Sequence, residues 1–198
     1  MKVLIDAGHG RDTKGKRSPD ESLREWKWVR EVADLLIEML SYHRIDCELV
    51  TPEDTDIPLK ERVARINKVC NEIGAGNVVM VSIHANAYGY GEWNSAKGWS
   101  CYTTKGKTNS DKVAECLYDA FEAEFPDRKM RMDLADGDRD IEENFYIIKN
   151  SLCPAVLTEN FFYTNREECE FMKMDTTKMR VATATMVGII DYIYKFCK

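Results

Sequence analysis

The chain holds only three histidines in 198 residues, and two of them follow apolar runs in small-residue surroundings. His9 closes Asp6-Ala7-Gly8-His9-Gly10, and His84 stands in Ser82-Ile83-His84-Ala85-Asn86-Ala87. A carboxylate, Glu159, ends a third apolar run, Pro154-Ala155-Val156-Leu157-Thr158. If the runs are strands of an open α/β sheet, two imidazoles and a carboxylate converge on the rim beyond the strands' carboxyl ends, where such sheets bind ligands. Gly8 and Gly10 beside His9 fit a turn whose dihedrals aim the ring.

Two imidazoles and a carboxylate are the donors that a catalytic zinc takes, with a further position kept for water. The third ligand is expected to be acidic, because the remaining histidine, His43 in Ser-Tyr-His-Arg, reads as solvent-exposed. Glu21 and Glu25 are the candidates, both placed by the sequence at the head of the first helix. Counting back from Val29, Val32 and Leu36 puts Glu25 on the buried stripe, where a carboxylate is costly unless paired or metal-bound. Glu21 fits a capping box, Ser18-Pro19-Asp20-Glu21, with proline at the first helical position, although Ser22-Leu23-Arg24-Glu25 fits the same box. The reading favours His9, Glu25 and His84 as ligands of Zn2+, with Glu159 as general base. Bound water would then have a pKa of about 7, and amide hydrolysis is the reaction such a site suits.

These residues need a scaffold, and the hydrophobic pattern supplies one. Short apolar runs predict strands at 2–7, 46–51, 78–84, 99–103, 145–149 and 155–159. Between them, Val29, Val32, Leu36 and Met39 form one amphipathic stripe. Val63, Ile66 and Val69 form a second, and Val113, Cys116, Leu117, Ala120 and Phe121 a third. A last helix is predicted over 176–196. Strand–helix alternation on this scale implies a single α/β domain: a mostly parallel twisted sheet of about six strands with helices on both faces. The polar stretch 126–143 reads as a long surface loop or lid.

The composition excludes several function classes. A formal net charge of −6 and the lack of a basic stripe argue against nucleic acid as a partner. No stretch approaches the roughly 20 apolar residues of a membrane span. The first apolar run is too short for the core of a signal peptide, so synthesis and folding in a cytoplasm are expected. Seven cysteines, an odd number with no C-x-x-C pair, are expected to be buried reduced thiols.

The motifs together resemble those of the zinc-dependent N-acetylmuramoyl-L-alanine amidases, the amidase type 3 family. That family opens with a hydrophobic strand and D-P-G-H-G, then a glutamate at the head of the first helix. An L-x-x-R-x-x-x-A-N helix, S-I-H-A-N and a final P-A-V-L-x-E segment follow. Here these stand at 6–10, Glu25, 59–67, 82–86 and 154–159, with Asn165 and Glu168 matching the tail of the last motif. The resemblance covers nearly the whole chain in the family's order. It implies zinc, the roles given above to His9, Glu25, His84 and Glu159, and peptidoglycan (a muramoyl-peptide) as substrate. It also implies that residues 1–198 form one amidase catalytic domain without a separate wall-binding domain. Such a chain would act on the cell wall as a phage or prophage lysin, or as a bacterial enzyme exported by another route. A non-catalytic peptidoglycan-binding module and a zinc exopeptidase are the alternatives. Ala7, Ile66 and Phe161 depart from the family's usual proline, alanine and glycine, which leaves the groove beside Phe161 and Phe162 less predictable. Trp93, Trp99 and Tyr102 are candidates for stacking on sugar rings or for core packing. Arg62 is a candidate for holding a substrate carboxylate or for a structural ion pair.

Overall fold

The computed structural model of the protein describes residues 1–135 and 137–197. Six strands form one sheet: β1 (Lys2–Ala7), β2 (Asp46–Leu49), β3 (Val78–Asn86), β4 (Trp99–Thr103), β5 (Ile141–Glu142) and β6 (Ala155–Phe162), in the order β2-β1-β3-β6-β4-β5. The pairs β2–β1, β1–β3 and β3–β6 are parallel, whereas β4 runs antiparallel to β6 and carries β5 parallel to itself.

Helices α1 (Glu25–Tyr42), α3 (Asn109–Glu124), α5 (Arg166–Lys173) and α6 (Asp175–Phe196) cover one face. Helix α2 (Leu59–Ile73) and the single turn α4 (Tyr146–Asn150) cover the other. Alternation along the strands explains the two cores. Val3, Ile5, Val79, Val81 and Ile83 face the first, while Leu4, Met80, Ala155 and Leu157 face the second. Central strands buried on both sides read as unbroken apolar runs, which is why 78–81 is Val-Val-Met-Val. Trp99 is fully buried, stacked on Phe121 at 4.1 Å and edge-on to Tyr118, so its role is packing.

One predicted element differs, and two observed ones, β5 and α5, were not predicted. Residues 145–149 are not a strand but lie in and beside α4. There Ile147 and Ile148 turn together into the second core while Phe145 and Tyr146 stay exposed, a pattern that a run this short cannot distinguish from a strand. The strand beside β4 is β5 instead, two residues long. Helix α5 was not foreseen from the sequence; Asn165 caps it by accepting from Glu168 N at 3.2 Å.

The stretch 126–143 is surface coil ending in β5, tied down at several points; position 136 lies outside the described residues. Met130 bridges to Trp99, and Arg139 pairs with Glu115, Asp119 and Glu122 along α3. Those anchors make it a strapped segment rather than a free lid. No described helix is long and apolar enough to cross a membrane, and all seven cysteines are free thiols.

Candidate metal centre

The end of β1 is built around Arg62. Its guanidinium, 2% exposed, meets Asp6 Oδ1 at 2.9 Å and Asp56 Oδ1 at 3.0 Å. It also donates to the carbonyls of Ala7 and His9, at 2.8 and 3.2 Å. Asp6 accepts a further bond from Ser82 Oγ at 2.6 Å. A buried carboxylate needs this much compensation, and the result is a fixed platform for the next three residues. Arg62 is therefore a positioning residue held in a structural ion pair and not a free cation at the surface.

His9 then leaves the strand with φ 62°, a left-handed conformation uncommon for a residue with a Cβ. The glycines on either side are steric requirements. A Cβ on Gly8 would stand 2.4–2.7 Å from atoms of the His84 ring, and one on Gly10 would stand 2.0 Å from Asp56 N. The two imidazoles pack edge to face with centroids 5.0 Å apart.

Glu25, the first residue of α1 and 1% exposed, closes the group. Its Oε1 lies 3.1 Å from His84 Nδ1 and 3.4 Å from His9 Nε2, and it accepts from Ala85 N at 3.1 Å. Its Oε2 is buried and accepts nothing among the described residues. Burial works against the charge on Glu25, but the bonds from His84 and His9 win and hold the carboxyl well below the usual range. The same pairing raises His84 against its own burial. One donor atom from each of His9, Glu25 and His84 lies within 4.8 Å of the others, a potential metal site. Two imidazole nitrogens and one carboxylate, with an oxygen of that carboxylate left unpartnered among the described residues, fit a borderline cation such as zinc, whose ligands stand about 2.0–2.2 Å away.

Glu21 is elsewhere. The helix begins at Glu25, with Arg24 as an N-cap that makes no side-chain bond, so neither capping box forms. Ser18 and Asp20 instead fold the preceding loop on itself. Leu23 N donates to Ser18 Oγ, and Ser22 N donates to Asp20 Oδ1. Glu21 sits in that loop at φ 60°, its side chain exposed beside Arg17. His43 is the exposed C-cap of α1.

Glu159 stands on β6 next to His84 on β3, the two being register partners. Burial pushes its carboxyl up to about 7; Glu25 adds to the rise, while His84, Lys16 and Arg131 oppose it. Its Oε2 is buried without a hydrogen bond among the described residues. Asn160 fixes the neighbouring backbone, donating to His84 O at 2.8 Å and accepting from Trp99 Nε1 at 2.9 Å. One extra residue then enters β6 opposite β3, and Phe161 takes φ 64° there, fully buried against Phe125 and Phe171. The left-handed turn at this bulge is a conformation that glycine adopts freely, and Phe161 adopts it here with its ring packed in the core. Ile66 simply fills the second core.

Several neighbours were not singled out from the sequence. Tyr163 is buried beside the cluster; burial and the Glu25 and Glu159 carboxylates push its phenol well above the ordinary range. Lys16 and Arg131 bring positive charge toward Glu159 from a loop and from the strapped segment. Glu168 accepts from Gly98 N and Phe162 N, pinning β4 to the end of β6, so this residue of the last motif is structural. Trp93 lies under Arg166 at 5.1 Å, and Tyr102 packs edge-on to Phe145.

A family model described as N-acetylmuramoyl-L-alanine amidase matches residues 3–191. Among curated proteins the chain is 30% identical over 193 residues to the N-acetylmuramoyl-L-alanine amidase LytC of Bacillus subtilis strain 168. That alignment covers 96% of this chain and 35% of LytC, so the chain spans about a third of that relative's length. Among solved structures, an N-acetylmuramoyl-L-alanine amidase from Clostridium difficile 630 superposes with a TM-score of 0.83 at 25% identity, covering 98% of this chain and 97% of that one. The catalytic domain of CwlV from Bacillus (Paenibacillus) polymyxa var. colistinus gives 0.79 at 27% identity, with 98% of both chains covered.

Proposed function

The chain belongs to the N-acetylmuramoyl-L-alanine amidase family, and from that premise we propose that it hydrolyses the amide between N-acetylmuramic acid and the L-alanine of the peptidoglycan stem peptide. His9, Glu25 and His84 hold a zinc ion, and Glu159 moves the proton. The observation that carries this reading is the convergence of two imidazoles and a buried carboxylate beside a second carboxylate with raised proton affinity.

Bound zinc would supply a Lewis acid for the scissile carbonyl and acidify water. The rest is the work of the chain. Glu25 Oε1, fixed by Ala85 N, stands 3.1 Å from His84 Nδ1 and 3.4 Å from His9 Nε2, so the three donors face one common point. Arg62 holds the backbone of His9 through its carbonyl. Glu159 takes a proton from the attacking water and passes it to the departing alanine nitrogen, a role for which a pKa near neutrality is well matched. Burial supplies that pKa, and the β3–β6 register sets Glu159 on the strand position beside His84.

Digestion of purified peptidoglycan followed by mass spectrometry, with elemental analysis of the protein, tests the proposal. New L-alanine amino termini, intact glycan and one zinc per chain are the expected result. No cleavage would leave a binding module, and release of terminal amino acids would indicate an exopeptidase.

A further inference from the structure

Arg131 is built into the rim of the site and has no ion-pair partner among the described residues. Its backbone is fixed twice: Arg131 N donates to Trp99 O at 2.8 Å, and Tyr118 Oη donates to Arg131 O at 2.7 Å. Its stem lies so close to the start of β4 that a Cβ on Gly98 would stand 3.1 Å from Arg131 Cγ. Its guanidinium rests over the ring of Phe162, 5.0 Å from the centroid, three residues beyond Glu159 on β6. Glu168 locks both supports, binding Gly98 N and Phe162 N. Among the described residues no carboxylate lies within 4.0 Å of this guanidinium, although its charge is felt at Glu159. Nearby arginines are spent differently: Arg128 pairs with Glu167, and Arg139 with Glu115, Asp119 and Glu122.

A half-buried, pre-oriented guanidinium with no carboxylate partner among the described residues, held over Phe162 on the strand that carries Glu159, suits recognition of a carboxylate, which it can grip with two parallel N–H bonds. The chemistry of the proposed substrate decides which one. On the glycan side the lactyl carboxyl of muramic acid is consumed in the scissile amide, and the sugar rings are neutral. Any anion must therefore come from the peptide side, where the nearest is the α-carboxylate of a γ-linked glutamate, one residue past alanine. Resting on the amidase reading above, we propose that Arg131 binds this carboxylate and sets a preference for isoglutamate over isoglutamine stem peptides.

The test compares wild type, Arg131→Met and Arg131→Lys on two matched muropeptides that differ only in carboxylate or carboxamide at that position. Loss of a charge-assisted pair predicts that Arg131→Met raises KM for the acid form about 10-fold or more, with the amide form within about 2-fold of wild type. Arg131→Lys should recover part of the difference. Titration of the free acidic and amidated tripeptides reads the same preference in binding, so it reports even if no muropeptide is cut. Cleavage of neither muropeptide by wild type would count against the amidase reading alone. Equal effects of Arg131→Met on both forms, or a shifted pH profile with unchanged KM, would overturn the assignment.

Discussion

Glu159 and His84 are direct partners in the parallel register of β6 and β3, so the two side chains leave neighbouring strand ends on the same side of the sheet. The pairing places a candidate base against a candidate ligand without using a coordination position for it. Glu159→Gln is therefore expected to fold, to keep near-normal zinc, and to turn over about 10²–10⁴-fold more slowly. Metal content and steady-state rates check this. Zinc loss would move Glu159 into the inner shell, and retained turnover would assign the proton transfer to another group.

Glu25 and Glu21 make opposite predictions. Glu25→Ala removes the buried carboxylate that touches both rings, and should abolish stoichiometric zinc. Glu21→Ala removes only an exposed partner of Arg17 and Arg24, and should change stability by less than about 1 kcal/mol with metal intact. Elemental analysis and urea unfolding of the two variants settle the assignment, and the reverse pattern would sink it.

Gly8→Ala tests the steric account of the site. The added methyl would overlap the His84 ring, whose nearest atom is 2.4 Å from the ideal Cβ position. The ring must swing away, so zinc affinity should fall by about 10-fold or more while secondary structure is retained, as for other losses of ligand orientation. Metal titration monitored with a competing chelator gives the number; unchanged affinity would mean that the backbone gives way instead.

Arg62→Met should leave Asp6 buried without its cation and cost about 3–5 kcal/mol. Replacing both, Asp6→Asn with Arg62→Met, should cost less than the two single changes summed. Denaturant melts of the set decide; additive costs would show that the pair is not coupled.

The raised carboxyl of Glu159 predicts a pH effect in metal-free protein. Unfolded, the group titrates near 4.5; folded, near 7. Between those values the folded state keeps a proton that the unfolded state has lost, so the stability this group contributes is present below about pH 4.5 and lost as pH rises toward 7. Glu159→Gln should thus be more stable than wild type above pH 7, by about 1–3 kcal/mol after allowing for partial exposure. The gap should close below pH 4.5, and a gap that ignores pH would refute the linkage.

Much of this architecture was legible in the chain because long periodic segments and strand-end histidines carry strong signals. The stripe from Val29 to Leu36 located α1 and placed Glu25 on its buried side. Its start was misread, since Ser18 and Asp20 spend their side chains on the loop's own backbone and resemble a cap only in spelling. The single turn at Tyr146–Asn150 was hidden because two adjacent isoleucines look alike in a strand and in one helical turn. Arg131 and Tyr163 were hidden for another reason. Nothing local distinguishes them, and their place near Glu159 follows only from the path of the strapped segment and from the bulge at Phe161.

The seven free thiols have a consequence for when this protein can meet an oxidant. Five are buried, and burial raises the pKa of Cys101, Cys116, Cys153 and Cys169, so little thiolate is available for exchange once the chain has folded. Unfolded, the same chain offers seven ordinary thiols, and an odd number always leaves one unpaired to attack a wrong bridge. Protection is thus a matter of timing: folding must outrun oxidation, and a slow-folding variant should accumulate scrambled disulfides in an oxidising space that the native fold would survive.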